Sequence, residues 1–376
     1  MKIFFDARTV RRSMTGVGVY TRSLLKGLMH VDRENEYRCF ILEEDAWENL
    51  SAPDNFQPYF GAPDYQHHPA GDIWMWFRLP GILRAEGADL FHGPAFLCPR
   101  CDSPPTVVTI HDLTVFAHPE TYPVKFRKYM QWAIRRSVHG ARSIIAVSGA
   151  TQRDLNKLLN VPNDRVWIVW EAAGEQFQPQ READIQKFLQ QKNLKQGYIL
   201  AVGMIEPRKG IDNLVQAFRM LPVELQRKHP LVLIGDYGWK SDALNKLIEG
   251  EIREGGVRRI SYVDAQELPL YYSGAAMLAY PSLYEGFGLP PLEAMASGTP
   301  VIVSNTSSMP EVVNDAGLLL SPGKPQRWAT EIESLLTNES LRANLARHGR
   351  ERSKHFSWDK AARDTLECYK ATVKLH

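Results

Sequence analysis

Short apolar runs recur along the chain, each ending in a glycine- or proline-bearing loop that leads into a stretch with helical spacing of its apolar residues. Parallel strands need this alternation, because each must be joined to the next by a crossover, usually a helix. The first run, KIFFD at 2–6, predicts a strand; the following ARTVRRSMTGVGVYTRSLLKGL passes through a Gly16-Val17-Gly18 turn into an amphipathic helix. Further strands are predicted at 37–42, 88–92, 106–110, 143–147 and 166–169, with a helix at 150–159. The pattern then stops: 171–195 is polar and has no buried strand, which reads as an interdomain connection carrying one helix. Strands resume at 198–202, 231–234, 259–263, 277–280, 301–304 and 318–320. After Lys324 the spacing is helical, and Ser357 suits the N-cap of a last helix bearing Trp358, Leu366, Tyr369 and Val373. Two α/β domains are expected, 1–172 and 173–357.

One helix stands out for its surface. Plotted at 100° per residue, 123–139 places Phe126, Met130, Ala133, Ile134 and Ser137 on a core face. Lys125, Lys128, Arg135 and Arg136 fall opposite with Tyr129 and Trp132, and no acidic residue occurs between Thr121 and Arg142. A solvated charged face is the ordinary reading; a face for an anionic membrane or an acceptor is the functional one. Trp74-Met75-Trp76-Phe77 ordinarily packs in a core, and apolar insertion into a bilayer is its alternative.

Composition narrows the field. At 376 residues, 44% hydrophobic and 23% charged, the chain has material for about two domains. A net charge of +2 argues against a dedicated nucleic-acid binder. No apolar run approaches the ~20 residues of a membrane span, and MKIFFDART lacks a signal-peptide layout, so a cytoplasmic protein is expected. Four cysteines fit a reducing compartment. Cys98 and Cys101 form a lone C-x-x-C, for which zinc would need His92 or His111 as further ligands; plain loop cysteines are the simpler reading.

The chemistry concentrates in PSLYEGFGLPPLEAMASGTPVIV at 281–303, where a strand breaks at Pro281 and a glycine loop leads into a helix. Helix-start N–H groups carry the positive end of the dipole, and Gly286 and Gly288 leave room for a close ligand, so Phe287, Gly288 and Leu289 suit a phosphate. Glu285 and Glu293 frame the loop with seven residues between them. Carboxylates would repel a diphosphate, so their expected partners are hydroxyls, which a sugar and a ribose supply. Arg208 and Lys209 stand at a second strand-loop-helix junction, GMIEPRKGIDNLVQAF, and supply cations for a diphosphate where no D-x-D metal pair occurs. His111 closes the strand at 106–110, with Asp112 beside it able to fix its tautomer. Gly16 lies in a weak dinucleotide fingerprint in which Thr21 replaces the third glycine, which disfavours an NAD-dependent dehydrogenase.

The 281–303 stretch resembles the E-x7-E signature of the retaining family 4 glycosyltransferases, and the resemblance covers the full chain. It implies an α/β fold of the GT-B type: two facing Rossmann-like domains with parallel sheets, and a C-terminal helix, 358–376, crossing back to complete the first. By the resemblance 1–172 is the acceptor side and 173–357 binds the nucleotide sugar. Glu285 then contacts the transferred sugar, Glu293 the ribose and His111 the donor sugar, while Gly16 lies between donor phosphates and acceptor. HDLTVFAHPETYP at 111–123 is similar to the mannosyltransferase branch. Mannose from GDP-mannose is the implied donor, a glycan or lipid-linked oligosaccharide of a polysaccharide such as O-antigen the implied acceptor, and no metal or other cofactor is implied. A UDP-sugar transferase, an epimerase or phosphorylase on the same plan, and a silent subunit of a glycan-assembly complex stay open.

Overall fold

The structure, a computed structural model, describes every residue except 13, 65–69, 102, 239–241 and 375–376. The chain divides into two compact units, one of Met1–Ala117, Val124–Glu171 and Ser357–His376, the other of His118–Pro123 and Ala172–Phe356. The hexapeptide His118–Pro123 thus departs from the 1–172 span expected of the first domain; within the second unit the His118 ring meets Tyr284 edge-on at 5.5 Å.

Seven parallel strands build the first unit: β1 (Lys2–Asp6), β2 (Glu36–Phe40), β3 (Phe56–Tyr59), β4 (Leu90–Gly93), β5 (Thr106–Ile110), β6 (Ser143–Ala146) and β7 (Val166–Ile168). Their order is β3-β2-β1-β4-β5-β6-β7, so the direction of winding reverses between β1 and β4. The central strands β4, β5 and β6 are buried along their whole length, which is why they read as unbroken apolar runs and not as alternating ones. The unpredicted strand is β3, FQPY. It carries Pro58 and lies at the sheet edge, where a missing N–H donor is tolerated and apolar periodicity is weak.

The second unit repeats the plan with β8 (Tyr198–Val202), β9 (Leu231–Ile234), β10 (Val257–Ile260), β11 (Ala275–Tyr280), β12 (Val301–Ser304) and β13 (Leu318–Leu320). The order β10-β9-β8-β11-β12-β13 reverses between β8 and β11. Strand β10 starts two residues before the predicted 259–263, because its register follows β9, with Val257 opposite Leu231. Ile199, Leu214, Phe218, Leu233, Met277, Ile302 and Trp328 form its buried core.

Three helices of the first unit matter below: α1 (Gly16–Val31), α2 (Val124–Gly140) and α3 (Trp358–Lys374). Ser357 caps α3 as expected, accepting from the Lys360 N–H at 3.1 Å. The helix crosses α1 so closely that a Cβ on Gly27 would come 2.6 Å from the Trp358 carbonyl oxygen and 3.2 Å from Ala362 Cβ. Its buried stripe is therefore mostly small, Ala361, Ala362, Thr365, Cys368 and Thr372 with Tyr369, while Trp358, Leu366 and Val373 are only half-buried. Helix α2 also differs from its plotted faces. Burial begins only at Ala133 and continues through Ile134, Ser137 and Val138; Phe126, expected in the core, is exposed together with Val124.

Candidate active site

In the second unit the loops after β8 and β11 flank the point where the strand order reverses, the usual ligand crevice of an open α/β sheet. Arg208 and Lys209 lie in the single 3₁₀ turn Pro207–Lys209. The Leu283 N–H donates to the Arg208 carbonyl at 2.8 Å, and Gly210 turns the chain with φ +63°, where any Cβ would strike the Pro281 carbonyl oxygen. The two loops are thereby fastened to each other.

Glu285 sits at their junction. Oε1 accepts from Lys209 Nζ at 2.6 Å, Ser282 Oγ at 2.6 Å and Tyr280 Oη at 2.9 Å, and Oε2 faces the Arg208 guanidinium at 3.2 Å. Burial would raise this carboxyl, but Lys209 and Arg208 override it and hold it down at about 2. Burial pulls the Lys209 ammonium down, an effect that the Glu285 charge opposes. We assign the firmer charge to Glu285, because four groups favour its ionised form. Arg208 also donates to Glu206 Oε1 at 2.6 Å and to the Tyr284 carbonyl at 2.7 Å. Arg208 and Lys209, expected to face a diphosphate, face two carboxylates in this structure, and Glu285, expected to meet hydroxyls, meets these two cations as well as the Tyr280 and Ser282 hydroxyls. Glu206 was missed, although its place two residues before Arg208 is a local signal.

Glu293 lies on the helix Leu289–Ala296 and accepts from Tyr272 Oη at 2.8 Å. That hydroxyl contact matches the chemistry expected of it, with a protein side chain as the donor. The start of this helix is a poorer anion cradle than its position suggests. Leu289 is followed by Pro290 and Pro291, so the first three helical residues offer a single N–H. Gly288 adopts φ +111°, a conformation that favours glycine, and the end of the Met309 side chain packs where a Cβ would lie. Phe287 is buried with its ring edge-on to Phe356 at 5.8 Å, supporting the loop from beneath. Ser308 Oγ donates to the Phe287 carbonyl at 2.6 Å.

The first unit has its own cluster at strand carboxyl ends. His111, directly after β5, places Nε2 at 2.8 Å from the Pro94 carbonyl and Nδ1 at 3.2 Å from Glu171 Oε1. Asp112 does not fix that ring: neighbouring residues in extended chain point to opposite sides, and its Oδ1 accepts the Thr114 N–H at 2.8 Å. Glu171, just beyond β7, takes the role instead and was missed, because only the fold brings it to His111. Tyr20 meets the His111 ring edge-on at 4.5 Å. Gly16 opens α1 with empty space where a Cβ would be; its neighbour Gly18 is the constrained one, 2.6 Å from the Thr9 carbonyl oxygen. His92, weighed as a metal ligand, is engaged by Thr109 Oγ1 at 2.8 Å and Tyr369 Oη at 2.6 Å, and Cys98 is buried against Ser137 and Thr106.

On α2, Lys125, Lys128 and Arg135 are exposed, and Arg135 lies over the Phe116 ring at 4.9 Å. Arg136 is only half-exposed because it covers Trp76 at 5.6 Å, and Trp132 stands edge-on to the same indole at 4.8 Å while remaining 50% exposed. Beside them the one-turn π-helix Trp74–Arg78 buries Met75 and Trp76 and leaves Phe77 73% exposed. The core reading of 74–77 holds for two of its residues and fails for Phe77. Among the described residues no helix is long and apolar enough to cross a membrane.

Comparison with known proteins agrees with this architecture. Residues 14–171 match the family model "Glycosyltransferase Family 4", and residues 182–352 match "Glycosyl transferases group 1". The O-antigen chain mannosyltransferase B of Escherichia coli is 34% identical over 98% of this chain and 100% of its own length. Serotype-specific mannosyltransferase WbdA of Escherichia coli is 31% identical over 90% of this chain, which spans 43% of that longer protein. Among solved structures, sucrose-phosphate synthase from Thermosynechococcus elongatus superposes with a TM-score of 0.76 at 22% identity, covering all of both chains. With family matches over both units and a relative of that identity along its whole length, the chain belongs to the family 4 glycosyltransferases and has their GT-B fold.

Proposed function

We propose that this glycosyltransferase moves mannose from GDP-mannose, with retention of anomeric configuration, to a hydroxyl of a glycan or lipid-linked oligosaccharide in O-antigen assembly. The observation that carries the sugar and the pathway class is the full-length likeness to a protein named O-antigen chain mannosyltransferase B. The glycosidic bond to the diphosphate breaks as the acceptor oxygen bonds the anomeric carbon. In the front-face course the acceptor proton passes to the departing phosphate oxygen. A carboxylate held near 2, as Glu285 is, makes a poor proton acceptor at neutral pH, which favours a route without a protein base. Arg208 and Lys209 are the groups to take phosphate as a further partner as charge develops on the leaving group, while they still face Glu285, and the Leu289 N–H adds a donor. Glu285 then faces the transferred sugar and Glu293 the ribose. In this reading Gly16, Phe287 and Gly288 line the donor, and His111 and Asp112 the reacting sugar.

No metal is needed in this scheme, because the cations are side chains; we expect a chelator to leave activity within about twofold of its starting value. Loss of activity restored only by Mg²⁺ or Mn²⁺ would overturn that. The protein works in the cytoplasm, with the α2 face against the inner membrane surface. A screen of GDP-mannose, GDP-fucose, UDP-glucose and UDP-galactose for nucleotide release, with and without lipid-linked oligosaccharide, tests the donor. Release from a UDP-sugar alone would sink the GDP-mannose reading, and acceptor-independent turnover would favour an epimerase or phosphorylase.

A further inference from the structure

The His111 ring lies between two acceptors. A carbonyl oxygen can only accept, so Nε2, 2.8 Å from the Pro94 carbonyl, carries a proton. Nδ1 faces the Glu171 carboxyl at 3.2 Å. Two lone pairs cannot bond each other, so a further proton has to lie between Nδ1 and Oε1. Both groups are buried, His111 8% exposed and Glu171 5%, where an unmade polar contact is most costly.

We infer that His111 and Glu171 form a buried imidazolium–carboxylate pair, in which Glu171 is the positioning residue that keeps the ring cationic and fixed at the carboxyl end of β5. The other titratable groups around the ring cannot take that role. Tyr20, edge-on from α1, is raised by burial and stays a neutral phenol. His92 on β4, which shares Thr109 with Tyr20, is pushed down to about 3, first by burial and then by the charge of His111. Asp112 is turned to the Thr114 N–H. With both ring nitrogens committed, His111 has no lone pair to act as a base. It contributes a fixed positive charge, and the kinetic part of this inference rests on the reading of this strand end as part of the sugar-transfer site.

The charge is tested directly by ¹⁵N correlation spectra of the histidine side chains at pH 7.5, with His111 assigned from the His111→Asn protein. Wild type is expected to show both ring nitrogens of His111 protonated. Glu171→Gln offers an amide N–H to Nδ1, so the ring should become neutral with the proton kept on Nε2. Turnover should fall about tenfold, with the donor KM within about twofold. Glu171→Asp keeps the charge and should retain the doubly protonated ring. A neutral His111 in wild type overturns the pair, and needs neither a variant nor a known donor. An imidazolium that persists in Glu171→Gln removes Glu171 from its role. The expected spectra with unchanged turnover, or with the loss in KM alone, would overturn the positioning assignment and leave the donor assignment to its own screen.

Discussion

Replacing the Glu285 carboxylate by an amide keeps its shape and removes the charge that Lys209 and Arg208 face at 2.6 and 3.2 Å. We expect Glu285→Gln to lower kcat by about 10²-fold, and Glu293→Gln to act on the donor KM, raising it about tenfold, as loss of a ribose contact would. Wild-type kinetics in both variants would remove the pair from the site. Stability has a matching pH signature. A carboxyl depressed to about 2 contributes stability above the ordinary glutamate range. That contribution, ~3 kcal/mol, is lost as pH falls toward 2. Thermal melts between pH 6 and 2.5 should therefore fall more steeply for wild type than for Glu285→Gln. The places of these residues were legible in the sequence, Glu285 and Glu293 at either side of the glycine loop and Arg208 and Lys209 at their strand-loop-helix junction, and the structure brings Glu285, Arg208 and Lys209 together. Their partners were not legible, because Lys209 reaches Glu285 from 76 positions away, Tyr272 reaches Glu293 from 21 and Glu171 reaches His111 from 60.

Elements were readable where one periodicity ruled from end to end, as in β5, β8 and β12, and misread where it changed along the way. Helix α2 begins with no buried residue and acquires a core face only from Ala133, so a single wheel drawn for the whole helix turned Phe126 inward. Helix α3 was found by its cap, yet the residues that dock it are small ones that hydropathy undervalues. Its polar anchor is Tyr369 on His92, and there the burial of His92 has a measurable price in acid. A histidine lowered to about 3 favours the folded state while neutral. That advantage, ~5 kcal/mol, is complete above the ordinary histidine range and vanishes as pH drops toward 3. His92→Gln, which can still bond Thr109 and Tyr369, should lose less melting temperature than wild type between pH 7 and 4; equal slopes would show that His92 is not the acid-sensitive group.

For the whole molecule, α2 and the 74–78 turn beside it carry the exposed Lys125, Lys128, Arg135, Trp132 and Phe77. Each Lys or Arg near an anionic bilayer is worth roughly 1 kcal/mol, so on the proposed membrane reading Lys125, Lys128 and Arg135 would give reversible, salt-sensitive attachment, with Phe77 and Trp132 as apolar contacts. Sedimentation with anionic liposomes should capture wild type at low salt, release it at high salt, and fail for the triple change of those three to glutamate. Equal capture of wild type and triple variant would mark the face as merely solvated. The division into two α/β units was visible from the break after β7; the return of the last helix came from family likeness, since nothing in its own residues names the surface it covers. That return has a consequence for synthesis. Residues 172–356 are made before the segment that completes the first unit, so while the chain is still on the ribosome His92 lacks Tyr369, Ser143 lacks Thr372 and Gly27 lies uncovered. The half of the molecule translated first is the last able to close.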